Sequence, residues 1–153
     1  MIYGMKDLID DVLKVIEMHS DKAAAIVYRT AIAESGFTAI KGYTKGNPAL
    51  SFWQIEPATA NDIYENYVKF RPHLVEKLKK LGFKESDPSG PLKYNLSLAI
   101  AMCRIKYWRD PSPLPDVDDI DGQAKLWKKV YNTELGKGTL KHFLDANIGK
   151  EMK

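Results

Sequence analysis

One carboxylate in the sequence lies in a setting that suits acid catalysis. Glu34 ends a mostly apolar stretch, starting at Ala23, whose periodicity predicts a helix. At helical spacing it shares a face with Val27, Thr30 and Ala31. An apolar face and the negative end of the helix dipole both disfavour the charged form, so we expect a raised pKa and a general acid near neutral pH. The alternative is a surface glutamate at a frayed helix end.

A second candidate is the stretch 51–60, Ser-Phe-Trp-Gln-Ile-Glu-Pro-Ala-Thr-Ala. An apolar and aromatic run leads to Glu56, and the following Pro57 suits the first turn of a helix. The ring of Trp53 could face a sugar, and the amide of Gln54 could bind sugar hydroxyls. The alternative is a short buried strand, because aromatic residues are more often part of a core.

A third candidate lies near the end of a later predicted helix. Tyr131 and Asn132 are followed by a turn that contains Gly136 and Gly138. Alone, this pattern is an ordinary helix C-cap. Its glycines do not have the spacing of a nucleotide-binding loop, so the pattern does not indicate a nucleotide site.

Helical periodicity accounts for most of the chain. It predicts helices over residues 8–16, 23–34, 57–67, 72–81, 92–108, 122–132 and 140–144. Ser20 or Asp21 can cap the second helix, and Gly36 can terminate it. Between residues 37 and 51 the periodicity lapses, which predicts an irregular loop or a short β-hairpin. Strand signals are scarce, so we expect a mainly α protein with one domain over residues 1–153.

The composition excludes several classes of protein. The chain has 153 residues, of which 44% are hydrophobic and 28% charged, which is typical of a globular domain. Cys103 is the only cysteine, and the three histidines have no metal-binding spacing. We therefore expect no disulfide, no metal and no cofactor.

The charge pattern also limits the partners. A net charge of +3 without a dense basic stripe gives little support for nucleic-acid binding. No apolar run reaches the roughly 18 residues of a membrane span. Acidic residues near the N-terminus stand where a signal peptide has its apolar core. We expect a protein made in a host cytoplasm without a signal peptide, with neither nucleic acid nor membrane as partner.

Taken in order, the three candidate features resemble the superfamily of lytic transglycosylases and goose-type lysozymes. In that superfamily a helix-ending Glu-Ser precedes Gly-Leu-Met-Gln-(Ile/Leu)-Met-Pro-Ala-Thr, and Ala-Tyr-Asn-Ala-Gly comes later. This chain has Glu34-Ser35, then Trp-Gln-Ile-Glu-Pro-Ala-Thr over residues 53–59, then Tyr131-Asn132. The resemblance covers residues 23–138. The sequence around residue 53 is similar to that of the bacteriophage members of this superfamily.

The resemblance implies a lysozyme-like fold and cleavage of the β-1,4 bond between N-acetylmuramic acid and N-acetylglucosamine. It implies that Glu34 is the catalytic acid, that Tyr131 orients it and that Asn132 shapes the cleft floor. Trp53 replaces a methionine that touches the sugar acetamido group. The side chains expected to bind the glycan are Ser35, Ser51, Trp53, Gln54, Tyr131 and Asn132.

Departures from the superfamily pattern leave the reaction outcome open. The superfamily usually has glycine, leucine and methionine at three positions where this chain has Ser51, Phe52 and Glu56. An inverting hydrolase has a second carboxylate about 6.5–9.5 Å from the acid, and Glu56 is the local candidate for that base. Alternatively Glu56 caps the helix that begins at Pro57, and the enzyme forms a 1,6-anhydromuramic product by transglycosylation.

Two interpretations of the whole chain compete, and a nucleic-acid-binding helical domain, suggested only by the mild positive net charge, ranks third. The first is a muralytic enzyme that acts as a monomer on bacterial peptidoglycan, as a phage endolysin or a virion-associated lysin. The second is a non-catalytic glycan-binding or virion structural module that keeps the cleft.

Overall fold

The computed structural model describes residues 3–153, so the first two residues of the predicted domain lie outside it. The chain is a mainly helical single domain around one core. Within residues 3–153 it has these α-helices: α1 Met5–Val15, α2 Asp21–Ser35, α3 Pro57–Asn66, α4 Pro72–Lys80, α5 Leu96–Trp108, α6 Ile120–Leu126 and α7 Leu140–Asn147. Short 3₁₀ turns, Val68–Phe70 and Gly90–Lys93, precede α4 and α5.

Local capping fixes the ends of α2. The side chain of Ser20 accepts a hydrogen bond of 3.0 Å from the backbone N–H of Ala23, which satisfies a free donor of the first turn. Gly36 ends the helix with φ 58°, a left-handed conformation that glycine adopts without steric cost. The predicted cap and terminator are confirmed.

Helix α2 forms the centre of the fold. Every residue from Ala23 to Ala33 is buried, and the helix packs against α1, α5 and α7. The burial agrees with the sequence, in which this segment is apolar on most sides. Glu34 therefore lies in the last turn of α2, where the helix leaves the core.

The predicted β-hairpin between α2 and α3 is wrong. Within residues 3–153 there is no strand, and this loop contains only the isolated bridges Lys41–Leu50 and Leu50–Ile55. Pro48 has no N–H to give to a ladder, and Ser51 and Gln54 take left-handed conformations with φ 68° and 49°. The chain reverses sharply there, and the segment is an irregular loop.

Four predicted helices begin at other residues than expected. Helix α1 starts at Met5 instead of residue 8, and α2 starts at Asp21 instead of residue 23. Helix α5 starts at Leu96, not Leu92, because Asn95 accepts a hydrogen bond from the Leu98 N–H and so caps the helix. The helix predicted from residue 122 begins at Ile120, and after Leu126 it continues as a π-helical turn, Trp127–Asn132. Single π-turns are rare and are often found at functional sites. In the described part of the chain, no helix is both long and apolar enough to cross a bilayer.

Candidate active site

A cleft of about 620 Å³ opens at the end of α2. Its walls come from the irregular loop, the start of α3, helix α5 and the π-turn with the glycine-containing turn that follows it. Five of the eight predicted site residues line this cleft: Glu34, Gln54, Glu56, Tyr131 and Asn132. The fold thus brings together residues from three separate parts of the sequence.

Glu34 is mostly withdrawn from solvent at the floor of the cleft. Burial raises the pKa of its carboxyl to about 7, although the Trp127 hydrogen bond and the charges of Lys106 and His142 act in the opposite direction. The indole Nε1–H of Trp127 donates to Glu34 Oε1 over 3.2 Å. The prediction of a raised pKa is confirmed, and desolvation is its main cause.

This pKa makes the stability of the fold dependent on pH. An unfolded chain loses the proton near the ordinary pKa of 4.5, whereas folded Glu34 keeps it up to about 7. Between these values the folded state holds a proton that the unfolded state has lost, so the free energy of unfolding falls as pH rises. Between pH 5 and pH 8, the free energy of unfolding of the wild type should fall by about 2–3 kcal/mol more than that of Glu34→Gln. Urea unfolding of both proteins at the two pH values measures it, and equal losses would contradict the raised pKa.

The resemblance implies that Tyr131 orients Glu34, but the hydrogen bond of the Tyr131 hydroxyl goes elsewhere. Its hydroxyl donates to the backbone carbonyl of Trp53 over 2.5 Å, and the ring is buried against Tyr107. The geometry therefore gives Trp127 the place next to Glu34 that was predicted for Tyr131. Tyr131 instead joins the π-turn to the loop that carries Gln54.

The structure buries three of the residues predicted to bind the glycan: Ser35, Ser51 and Trp53 are 5%, 2% and 0% exposed. The Ser35 hydroxyl donates to the Phe52 carbonyl over 2.7 Å, and the Ser51 hydroxyl accepts from the Trp53 N–H over 3.1 Å. The Trp53 indole donates to the Val27 carbonyl over 2.9 Å. The Ser35 and Trp53 hydrogen bonds join the loop to α2, and the Ser51 bond lies within the loop. None of the three side chains lines the cleft.

Gln54 and Asn132 face the cleft with part of their amides already in use. Gln54 Nε2 donates to the carbonyls of Lys41 and Ser51, both over 3.0 Å, so its amide oxygen is the group it can offer a ligand. Asn132 Oδ1 accepts from Lys128 over 2.7 Å. Gly136 packs so closely that an added Cβ would lie 2.3 Å from the Asn132 carbonyl oxygen. The glycine at this turn is therefore required by close approach.

Glu56 occupies the N-cap position of α3, but its side chain makes no capping hydrogen bond. It is exposed and lines the same cleft as Glu34. The geometry therefore favours a ligand-facing role for the Glu56 carboxylate over a helix-capping role.

Three residues were not predicted from the sequence: Trp127, which contacts Glu34, and Lys106 and Tyr43, which line the cleft. Trp127 had no sequence signal, because only the fold brings it to Glu34. Lys106 did have a sequence signal, because a lysine in the apolar run of α5 must find a polar partner. In the structure that partner is the Tyr131 carbonyl, 2.8 Å from the Lys106 Nζ. Tyr43, 64% exposed, donates its hydroxyl to the Ser35 carbonyl over 2.9 Å and is an exposed aromatic ring at the cleft, unlike Trp53.

Neither metal ligands nor known relatives add to this description of the site. Across residues 3–153, no three histidine, cysteine, aspartate or glutamate side chains form a group that could hold a metal ion. Comparisons with models of protein families, with curated proteins and with solved structures give no match. The superfamily resemblance therefore stays a prediction from the motifs.

Proposed function

We propose that this protein cleaves the glycan strands of bacterial peptidoglycan at the bond between N-acetylmuramic acid and N-acetylglucosamine. Glu34 protonates the glycosidic oxygen as the sugar bond breaks. Because the sequence of residues 53–59 is similar to that of bacteriophage enzymes, we propose that the enzyme acts in phage lysis or in virion entry.

One observation carries the proposal. Glu34 lies at the floor of an open cleft with a pKa of about 7, so a large fraction of the carboxyl is protonated at neutral pH. A general acid works best when its pKa is near the working pH. The Trp127 N–H is already directed at Oε1, where it can stabilise the charge that forms when the proton leaves.

The walls of the cleft suit a sugar chain. Tyr43 offers an exposed ring, and the amides of Gln54 and Asn132 offer hydrogen-bonding groups. Ligand sites commonly combine aromatic side chains with a few polar groups that fix the orientation of the ligand. Ser51 adds support from the backbone, since its φ of 68° is the conformation that glycine adopts freely, and the resembled superfamily has glycine at this position.

For the reaction outcome, the geometry of Glu56 favours hydrolysis. Its carboxylate makes no helix-capping bond and faces the cleft, so it can hold a water molecule and take its proton. This is the task of the second carboxylate in an inverting hydrolase.

We expect Glu56→Gln to lower the rate of glycan cleavage by about 100-fold or more, because the amide cannot accept the proton of the attacking water. The free energy of unfolding should change little, since the side chain is exposed and uncapped. Release of soluble fragments from purified peptidoglycan and urea unfolding measure the two effects.

A matched control is Glu65→Gln in the same helix, which removes an exposed glutamate paired with Lys69 over 2.7 Å and outside the cleft. This variant should cleave like the wild type. Full activity of Glu56→Gln, with products that end in 1,6-anhydromuramic acid, would instead support transglycosylation and contradict the role of Glu56.

A direct test of the proposed function is to incubate the protein with purified peptidoglycan and follow turbidity and soluble products. We expect turbidity to fall and muramic acid ends to appear. Binding to the cell wall without any released fragment would overturn the enzymatic proposal and indicate a glycan-binding module.

A further inference from the structure

Lys106 is a cationic residue of the cleft that the proposed reaction does not yet use. It lies in the apolar helix α5, half-buried, and its Nζ donates to the Tyr131 carbonyl over 2.8 Å. The ammonium also lies 4.6 Å from the centroid of the Tyr131 ring. Two of its three N–H donors remain for other partners.

Two neighbouring cations, Arg109 and Lys129, lie beside carboxylates, whereas Lys106 does not form such a pair in the part of the chain that the structure describes. Lys106 also faces a second depression next to the cleft, where Arg109 pairs with Asp62 over 3.0 Å and Lys129 lies 3.8 Å from Asp110. Within residues 3–153, Lys106 itself forms no ion pair. Its charge is therefore available to the carboxylates that share its cleft.

We propose that Lys106 is a positioning residue that stabilises the carboxylate of Glu34 after Glu34 has given its proton to the glycosidic oxygen. This inference rests on the proposed function. In that step the O–H bond of Glu34 and the glycosidic C–O bond break, and a new O–H bond forms on the leaving sugar. The anomeric carbon bonds to the oxygen of the water whose proton Glu56 accepts, while Lys106 keeps its proton. The ammonium thus balances the negative charge that appears in the cleft.

The electrostatic effects on the two groups are consistent with this role. Burial lowers the pKa of Lys106, while the charges of Glu34, Glu56 and Asp62 act to raise it. In return, Lys106 acts to lower the pKa of Glu34 against the effect of burial. Such coupling is reciprocal, so each group should respond when the other is removed.

Other groups face Glu34 and must be separated from Lys106 in a test. From α5, α7, the π-turn and the start of α3, they are Cys103, Tyr107, His142, Trp127, Tyr131 and Glu56. His142 Nε2–H donates to the Ala33 carbonyl over 2.7 Å, which places the imidazole one residue from Glu34. Comparison in a His142→Gln background removes this imidazole as a source of any shift.

The test is a carbon-13 NMR titration of the Glu34 carboxyl in the wild type, Lys106→Met and Lys106→Arg. We expect Lys106→Met to raise the titration midpoint by about half a pH unit or more, and Lys106→Arg to leave it close to the wild type. The exposed Lys125→Met serves as the control and should not move it. A purely structural Lys106 would lose the Tyr131 contact without moving the midpoint, and an unchanged midpoint in folded Lys106→Met overturns the inference.

A second measurement covers the case in which Lys106→Met does not fold. In Glu34→Gln, nitrogen-15 NMR of the Lys106 Nζ should show a lower midpoint, because a carboxylate that favoured the ammonium is gone. No change there also overturns the inference. Neither titration needs activity, so a coupled pair in a protein that cleaves no glycan would refute the proposed function and leave the coupling intact.

Discussion

Glu34→Gln is expected to lower the rate of glycan cleavage by about 10²- to 10⁴-fold, because the amide cannot protonate the leaving sugar oxygen. The variant should fold, since glutamine has nearly the same shape and can still accept from Trp127. Rates of fragment release at saturating peptidoglycan measure the effect. Glu65→Gln is the control, an exposed glutamate-to-glutamine change that should leave the rate unaltered.

The pH profile of the wild type gives an independent check on the same acid. With a pKa of about 7, the protonated fraction of Glu34 falls about tenfold for each unit above that pH. The rate should follow this fall on the alkaline side. A folded Glu34→Gln with full activity would show that another group protonates the bond.

Trp53→Ala is expected to lower the free energy of unfolding by about 3–5 kcal/mol, the usual cost of removing a fully buried aromatic side chain. The ring is 0% exposed and packs edge-on against Phe37, with 6.2 Å between the ring centroids. Its indole also donates to the Val27 carbonyl, a hydrogen bond that the alanine variant loses. Urea unfolding measures the change.

Trp108→Ala is the matched control, because this tryptophan is 47% exposed and its ring lies over the buried Arg104. Its cost should be about 1 kcal/mol or less. If Trp53→Ala were as stable as the wild type but bound glycan less tightly, the ring would contact the sugar and its place in the core would be contradicted.

Much of the helical architecture could be predicted from local chemistry. Ser20, Gly36 and Pro57 fix helix ends through a hydrogen bond, a left-handed backbone and a missing N–H, and each signal can be recognised without knowledge of the fold. The π-turn after Leu126 could not be predicted, because nothing in its six residues distinguishes it from an α-helix.

The candidate site divides in the same way. The raised pKa of Glu34 could be predicted because its apolar neighbours on the helix face lie only three to seven residues away, although its contact with Trp127 could not. The contacts of Trp53 and Trp127 depend on partners 26 and 93 residues away, so a motif names the right segment but not the direction of the ring. Lys106 is intermediate, since its sequence context demands a polar partner without naming it.

The central claim is that Glu34 drives cleavage of peptidoglycan strands, and mass spectrometry of fragments released from purified peptidoglycan tests it most directly. We predict fragments with new, ordinary reducing muramic acid ends from the wild type, and none above background from folded Glu34→Gln. Absence of fragments with the wild type, or equal release by both proteins, would contradict the account.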